Sequence, residues 1–363
     1  MSGSGCGSAL GRRAQLHRSG RSLAVLQSTV LSGSRGWLRK LSPTVYAVIL
    51  VAALVGTLAV KVRFRGVFAC PASYGAAAYL SDCNAANYGD YDHGAFWFGL
   101  EPEASRAAAE ANVLFIGNSR LQFALSTPQT TEWFTRNAIS FYLLGFSHSE
   151  TVAYMAPVLR KIDPRASVYV IHVDRFFDSR ISPPTAQLQQ ERDIGARYRE
   201  KQVWQSLHKP VCGALPLLCG NQLGIYRTRA NGTWRTAGAR PQAKAPVSDG
   251  APTNVDRWPE YVSIAKKFVG ELRTRRQCVL LTLVPTVDTK RAEAQEIANA
   301  LGLPLIAPQV DGLKTFDGSH LEPASAARWS AAFLEAAGSI IQDCAANRPS
   351  SASNDHDPGS NGS

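Results

Sequence analysis

From Val45 to Val60 the chain reads VYAVILVAALVGTLAV, an uncharged apolar run that, with Ser42, Pro43 and Thr44 ahead of it, approaches the length a bilayer's hydrocarbon core demands. No other stretch restricts the architecture so strongly, because a segment that crosses a membrane divides the protein into two compartments. A cleaved leader would have a shorter apolar core and a small-residue cleavage site behind it, whereas Lys61, Arg63 and Arg65 follow here. A buried core helix would leave that basic flank unexplained. Residues 42–61 therefore read as a membrane anchor. Arg12, Arg13, Arg18, Arg21, Arg35, Arg39 and Lys40 outnumber the three bases beyond the run, which predicts that residues 1–41 form a cytoplasmic basic tail. Everything after the anchor is then expected outside the cytoplasm.

The tail also explains the formal charge of +11 across 363 residues: it is basic without a single acidic residue, so much of the excess is a topology signal, and no nucleic-acid partner is expected. The 45% hydrophobic content is that of a globular chain with room for one large or two small domains. Cysteine usage agrees with export. Cys6 precedes the anchor, whereas Cys70, Cys83, Cys212, Cys219, Cys278 and Cys344 follow it, an even set suited to an oxidising compartment. Proximity in sequence suggests Cys70 with Cys83 and Cys212 with Cys219, leaving Cys278 with Cys344, out of fifteen pairings open to six cysteines. No zinc-ligand spacing competes with that reading. No phosphate loop or dinucleotide fingerprint is present, so no cofactor is expected.

Beyond the anchor, residues 62–111 form a lead-in rich in Ala, Gly and aromatics that ends in a helix-prone run from Pro102 to Ala111. Strands are predicted at Val113 to Ile116, Ile139 to Leu144, Val168 to Val173, Cys278 to Val284 and Leu303 to Ile306. Helices are predicted between them, from Ser149-Glu150-Thr151 to Ile162, from Pro259 to Arg275 and from Thr289 to Leu301, with a closing helix from Pro323 to Ala337. Strands that alternate with helices imply a mostly parallel sheet covered on both faces, here a flavodoxin-like three-layer α/β/α domain over 112–344. Residues 175–257, rich in Pro, Gly and Gln, are too long for an ordinary connection and read as an insertion or lid. Residues 345–363 are polar, and disorder is expected there.

Two spots in this framework carry chemistry. Gly117-Asn118-Ser119-Arg120 ends the first strand, so Ser119 is expected at the carboxyl edge of the sheet, where open α/β folds place their ligands. Asp317-Gly318-Ser319-His320 precedes the closing helix. A serine hydroxyl needs an imidazole to take its proton, and the imidazole needs a carboxylate to fix its tautomer; His320 and Asp317 supply both. Each residue also has a plainer reading. Ser119 could end a strand as a turn former, His320 could start a helix with Asp317 capping the amides behind it, and Gly145 could be a tight turn.

A serine in a G-[DN]-S turn after the first strand, Gly145 after the second, an acidic residue, Asp174, after the third, and D-x-x-H before the last helix together resemble the SGNH/GDSL hydrolase family. The resemblance covers about Asn112 to Ser339. It implies Ser119 as nucleophile, His320 as general base, Asp317 as orienting acid, and the Ser119 and Gly145 amides as oxyanion-hole donors. Two departures stand out. Asn118 occupies the place of the family's usual Asp, and the third block, normally G-x-N-D, reads Ile171-His172-Val173-Asp174, so Val173 replaces the Asn donor; His172, Arg120 or a residue of the insertion would have to fill that role. Asp174 reads as a structural acid.

The anchored, outward-facing form is similar to bacterial envelope proteins of alginate acetylation and D-alanyl transfer. That likeness implies an O-acyl, most simply O-acetyl, transferase or esterase on the periplasmic side of the inner membrane, acting on an envelope polysaccharide beside a multi-span membrane acyltransferase. A non-catalytic polysaccharide-binding or scaffold subunit is the alternative. Two further motifs have plainer readings: Asp90-Tyr91-Asp92-His93, a metal-binding DxD or a surface loop, and Asn231-Gly232-Thr233, a glycosylation sequon or chance. The rings of Tyr88, Tyr91, Phe96, Trp97 and Phe98 are expected to pack the lead-in against the sheet or to line a carbohydrate groove.

Overall fold

The structure, a computed structural model, describes residues 42–64, 66–84, 88–239, 244–250, 255–272 and 278–346. The tail 1–41 with Cys6, and the polar end from 347, lie outside the described residues. The chain divides into two compact units, Met1–Leu58 and Ala59–Ser363. The apolar run forms the helix Pro43–Phe64, with Pro in its first turn, where the missing amide proton costs nothing. Thr57 returns its hydroxyl to the Ala53 carbonyl at 2.7 Å, which leaves no polar group of that side chain unmet. Over Pro43–Val60 it is long and apolar enough to cross a membrane, and none of that stretch is buried against protein.

The described strands of the second unit are β1 (Ala78–Cys83), β2 (Gly89–Asp90), β3 (Val113–Asn118), β4 (Phe141–Phe146), β5 (Val168–His172), β6 (Gly224–Thr228), β7 (Trp234–Ala237), β8 (Ala245–Pro246), β9 (Cys278–Thr282), β10 (Leu305–Ile306) and β11 (Lys314–Thr315). Five of them form a parallel sheet in the order β10-β9-β5-β3-β4. This is the α/β organisation that the alternating pattern predicts. Successive residues along these strands enter two separate apolar clusters. Leu114, Ile116, Tyr169, Ile171, Val279 and Leu281 pack with the helices Val152–Ile162 and Trp258–Glu271. Val113, Phe115, Val168, Val170 and Leu280 pack with Trp329, Phe333, Ala337 and Ile341 of the closing helix. A strand buried on both faces has no polar alternation, which is why these segments read as unbroken apolar runs. The closing helix runs from Pro323 to Ala346, longer than expected, because its apolar face continues to Ile341 and Ala345.

The lead-in and the supposed lid are more ordered than their composition suggests. Residues 175–257 contain the helices Pro183–Gln190 and Ile194–Ala214 and the strands β6, β7 and β8. β6 pairs with β1 of the lead-in, from Ala78↔Thr228 to Cys83↔Gly224, so the two segments build one antiparallel sheet in the order β2-β1-β6-β7. The disulfides are Cys70–Cys83, Cys212–Cys219 and Cys278–Cys344, the pairing that sequence proximity suggests.

The Asp90-Tyr91-Asp92-His93 segment, expected as a metal motif or a surface loop, is buried and its acids are engaged by protein. Asp92 is almost fully buried and receives two nitrogens of Arg227, from Nε at 3.0 and 3.1 Å and from Nη2 at 2.6 Å, together with the Tyr79 hydroxyl at 2.6 Å. Asp90 takes His93 Nδ1 at 2.8 Å, and Glu150 Oε1 lies 2.9 Å from His93 Nε2 on the other side. Burial alone would lower the His93 pKa, but Asp90, through charge and hydrogen bond, and Glu150 raise it to about 10. A folded-state value above the ordinary imidazole value of about 6.5 means that the pair's contribution to stability is complete below that pH. It is lost as pH climbs through the folded value. The urea midpoint is therefore expected to fall between about pH 6.5 and pH 10, and His93→Gln is expected to flatten that slope; an equally steep slope in the variant would refute the assignment.

Candidate active site

β3, β4 and β5 end side by side at Asn118, Phe146 and His172, and the candidate site is built on those ends. Ser119 is the first residue of the short helix Ser119–Leu125, and Asn118 is its N-cap. The Asn118 side chain works at both of its ends: Oδ1 accepts the Arg120 amide at 3.0 Å, and Nδ2 donates to the Asp174 carbonyl at 3.2 Å. An Asp at this place could accept but not donate, so this environment gives a physical reason for the Asn where the resemblance leads one to expect Asp. Gly117 is required by close packing, since a Cβ there would come within 2.8 Å of the His172 Cβ.

Ser119, Asp317 and His320 are brought together. His320 Nε2 lies 2.8 Å from Ser119 Oγ, across 201 positions of sequence. On the other side of the ring, His320 Nδ1 lies 2.7 Å from Asp317 Oδ2. The carboxylate selects the tautomer with the proton on Nδ1, which leaves Nε2 free to accept from the serine hydroxyl. The loop that carries this pair is a turn rather than the start of a helix. Asp317 Oδ1 accepts the amides of Ser319 at 2.9 Å and His320 at 2.8 Å, so one carboxylate both shapes the turn and orients the imidazole. Burial by itself would lift the Asp317 pKa, but the hydrogen bond and charge of His320 and these two amides hold it below its ordinary value. β11 anchors the loop by pairing with β8, at Lys314↔Pro246 and Thr315↔Ala245, and Gly318 N bonds back to Thr315 Oγ1 at 3.1 Å.

Arg120 ties the two motifs together. Its Nε donates to Ser319 Oγ at 2.9 Å, its Nη1 pairs with the Asp174 carboxylate, and its Nη2 lies 3.7 Å from Asp288. Asp174 is thus engaged as a structural acid, and Arg120 is committed to it rather than turned toward Ser119. His172 is fully buried, neither of its ring nitrogens has a hydrogen-bond partner among the described residues, and burial lowers its pKa to about 4, so it stays neutral.

The expected second oxyanion donor is engaged in this structure. The Gly145 amide donates to Gln122 Oε1 at 3.1 Å, and Gln122 is fully buried, with its Nε2 on the Gly232 carbonyl. The approach is tight, since a Cβ at Gly145 would come within 2.8 Å of both the Asn118 carbonyl and Gln122 Oε1. The Ser119 amide, at the first helical position, has no carbonyl one turn back to bond. The Gly145 amide is therefore not free in this structure to meet an oxyanion.

Gln122, Phe123 and Phe316 belong to the site although sequence reasoning passes over them. The Phe316 ring stacks on His320, with centroids 5.5 Å apart, and Phe123 packs on it at 4.8 Å. Helical spacing was a usable signal, because Gln122 and Phe123 lie three and four residues after Ser119, on the same face. The sequon turn Asn231-Gly232-Thr233 sits against β4: Asn231 O accepts Leu143 N at 2.9 Å, and Asn231 Oδ1 accepts the Thr233 amide at 3.1 Å. No family model matches the chain, and comparisons with curated proteins and with solved structures return no match.

Proposed function

We propose that this protein is an SGNH-like serine acyltransferase or esterase that handles O-acyl groups, acetyl above all, of a cell-envelope polysaccharide. The observation that carries the reading is the continuous chain Ser119 Oγ, His320 Nε2, His320 Nδ1, Asp317 Oδ2, with contacts of 2.8 and 2.7 Å, at the carboxyl edge of a parallel sheet. Apolar clusters on both faces of that sheet favour the flavodoxin-like three-layer arrangement. In the first half-reaction Ser119 Oγ attacks the donor's acyl carbon while its proton passes to His320 Nε2. The leaving oxygen takes that proton as the acyl bond breaks, which leaves an ester on Ser119. In the second half, a sugar hydroxyl or water attacks that ester, His320 takes its proton, and the proton returns to Ser119 Oγ. The oxyanion rests on the Ser119 amide, joined by Gly145 when Gln122 moves; one missing donor costs about a hundredfold in turnover, which suits a slow, specialised enzyme.

The apolar helix and its basic flanks support a single-pass inner-membrane protein with the N-terminus in the cytoplasm and the triad in the periplasm, where three disulfides fit the redox conditions. A multi-span membrane acyltransferase would bring acyl groups across to Ser119. The alternative, a non-catalytic polysaccharide-binding subunit, draws on one observation, the Gly145 amide held by Gln122. Cells that carry Ser119→Ala separate the two. The enzymatic reading expects loss of O-acyl groups from the envelope polysaccharide with unchanged protein level, whereas unaltered acylation supports the binding subunit.

A further inference from the structure

Outside the apolar anchor, most of the large apolar side chains that stand exposed among the described residues fall in one segment. Val203, Trp204 and Leu207 lie on the helix Ile194–Ala214, and Leu215 and Leu217 follow its end; Val203 is 60% exposed and Leu217 85%. Val203, Leu207, Pro210 and Ala214 recur at the spacing of one helical face, and Pro210 and Ala214 are exposed as well, so an apolar stripe is turned outward. Single exposed apolar residues are ordinary, whereas a contiguous set marks a surface that is covered in use. The Cys212–Cys219 disulfide closes the loop that carries Leu215 and Leu217, so the patch continues past the helix on a constrained segment.

We infer that this patch docks on the surface of the membrane that Pro43–Val60 crosses; the inference rests on the reading of that helix as a span. The first reason is covalent. Beyond Val60 the helix adds four residues, about 6 Å, and the single residue Arg65 then joins Phe64 to Gly66 across at most about 7 Å. Gly66–Ala69 is a 3-10 turn, and that turn is bound to both ends of the patch. The Phe68 ring meets Trp204 edge-on, with centroids 6.2 Å apart. The Phe68 and Ala69 carbonyls accept the amides of Gly220 at 2.7 Å and Gln222 at 3.0 Å, just past the disulfide loop. The chain thus holds the patch within reach of the headgroup layer, which is roughly 5–8 Å deep on each side of a bilayer. Composition agrees with such a surface. A Trp ring sits at headgroup depth, Leu side chains enter the acyl boundary, and the exposed Lys209 can keep its ammonium among lipid phosphates. The Trp204 indole N–H already donates to Glu200 at 3.2 Å, so it asks nothing of the lipid. A soluble partner has to be recruited to this patch, whereas the bilayer is held beside it by the chain itself.

Fluorescence quenching on the full-length protein in nanodiscs of phosphatidylcholine and phosphatidylglycerol tests the docking. In a Cys6→Ser background, where the other six cysteines are held in disulfides, the dye NBD is attached to Leu207→Cys, to Leu50→Cys within the span, or to Glu335→Cys, an exposed site on the closing helix. Emission from the Leu207→Cys label is expected to shift to the blue, to be largely lost to lipids that carry a nitroxide high on the acyl chain, and to resist iodide. At Glu335→Cys the two quenchers should exchange roles. Val203→Asp together with Leu217→Asp, at two exposed positions, should return the Leu207→Cys label to the iodide sensitivity of Glu335→Cys without lowering the melting temperature. A Leu207→Cys label that iodide quenches as fully as Glu335→Cys, while lipid nitroxide still quenches Leu50→Cys, would overturn the docking alone. A label shielded from both quenchers would overturn it too, since a second copy of the protein would then cover the patch. A Leu50→Cys label that iodide reaches and lipid nitroxide does not would instead overturn the span on which the inference rests.

Discussion

His320→Asn is expected to slow acylation of Ser119 by about ten-thousandfold while leaving the fold intact. The reason lies in the geometry. Ser119 Oγ has one proton acceptor at 2.8 Å, the imidazole Nε2, and an Asn side chain of similar size offers no group basic enough to replace it. Structural cost is limited because His320 lies at the surface of the site, with 18% of its side chain exposed. What is lost is the packing against Phe123 and Phe316 and the bond to Asp317. Asp317→Asn should also impair the reaction, since an amide at Oδ2 no longer stabilises the imidazolium, although the turn it caps can persist through Oδ1. Stopped-flow release of nitrophenol from p-nitrophenyl acetate, with melting curves as a check on folding, reads both variants. A His320→Asn protein that acylates Ser119 at the parent rate would leave the imidazole without a role.

The largest stability effect is expected at Arg227. Replacement by Met should cost about 3–5 kcal/mol, because it strands the Asp92 carboxylate in a fully buried setting. The guanidinium also donates to Leu143 O at 2.6 Å, to Gly232 O at 3.3 Å and to Gly145 O, and it lies over the rings of Phe96, Phe146 and Trp234. The Leu143 and Gly145 carbonyls would lose that donor at the same time, whereas the Gly232 carbonyl keeps Gln122 Nε2. The double variant Asp92→Leu/Arg227→Met should recover part of the loss, since removing both charges avoids the stranded one. Urea unfolding of the parent, single and double variants makes the comparison; a single variant within about 1 kcal/mol of the parent would contradict the assigned role.

Arg227 also marks where sequence reasoning reaches its end. The apolar run Val113–Ile116 announces β3 because a strand covered on both faces must be apolar at every position, and the small residues after it announce the turn that presents Ser119. The cysteine pairs follow from proximity. By contrast, β1 finds β6 across about 150 residues, through strands whose pattern has no regular alternation, and nothing local in either segment names the other. Sequence separation likewise hides Asp92 from Arg227, 135 positions away, and His93 from Glu150, so a loop whose acids look solvated is largely buried. The meeting of Ser119, His320 and Asp317 was legible because a hydroxyl, an imidazole and a carboxylate complement one another as donors and acceptors. The state of the Gly145 amide was not, since it depends on a Gln122 side chain that could equally have faced solvent.

Whether Ser119 carries the acyl group is tested by peptide mass mapping of the full-length protein, quenched in acid after brief exposure to p-nitrophenyl acetate. One acetyl group is expected on the peptide that carries Ser119, absent from Ser119→Ala and strongly reduced in His320→Asn. An unmodified Ser119 peptide, or an adduct that persists in Ser119→Ala, would contradict it.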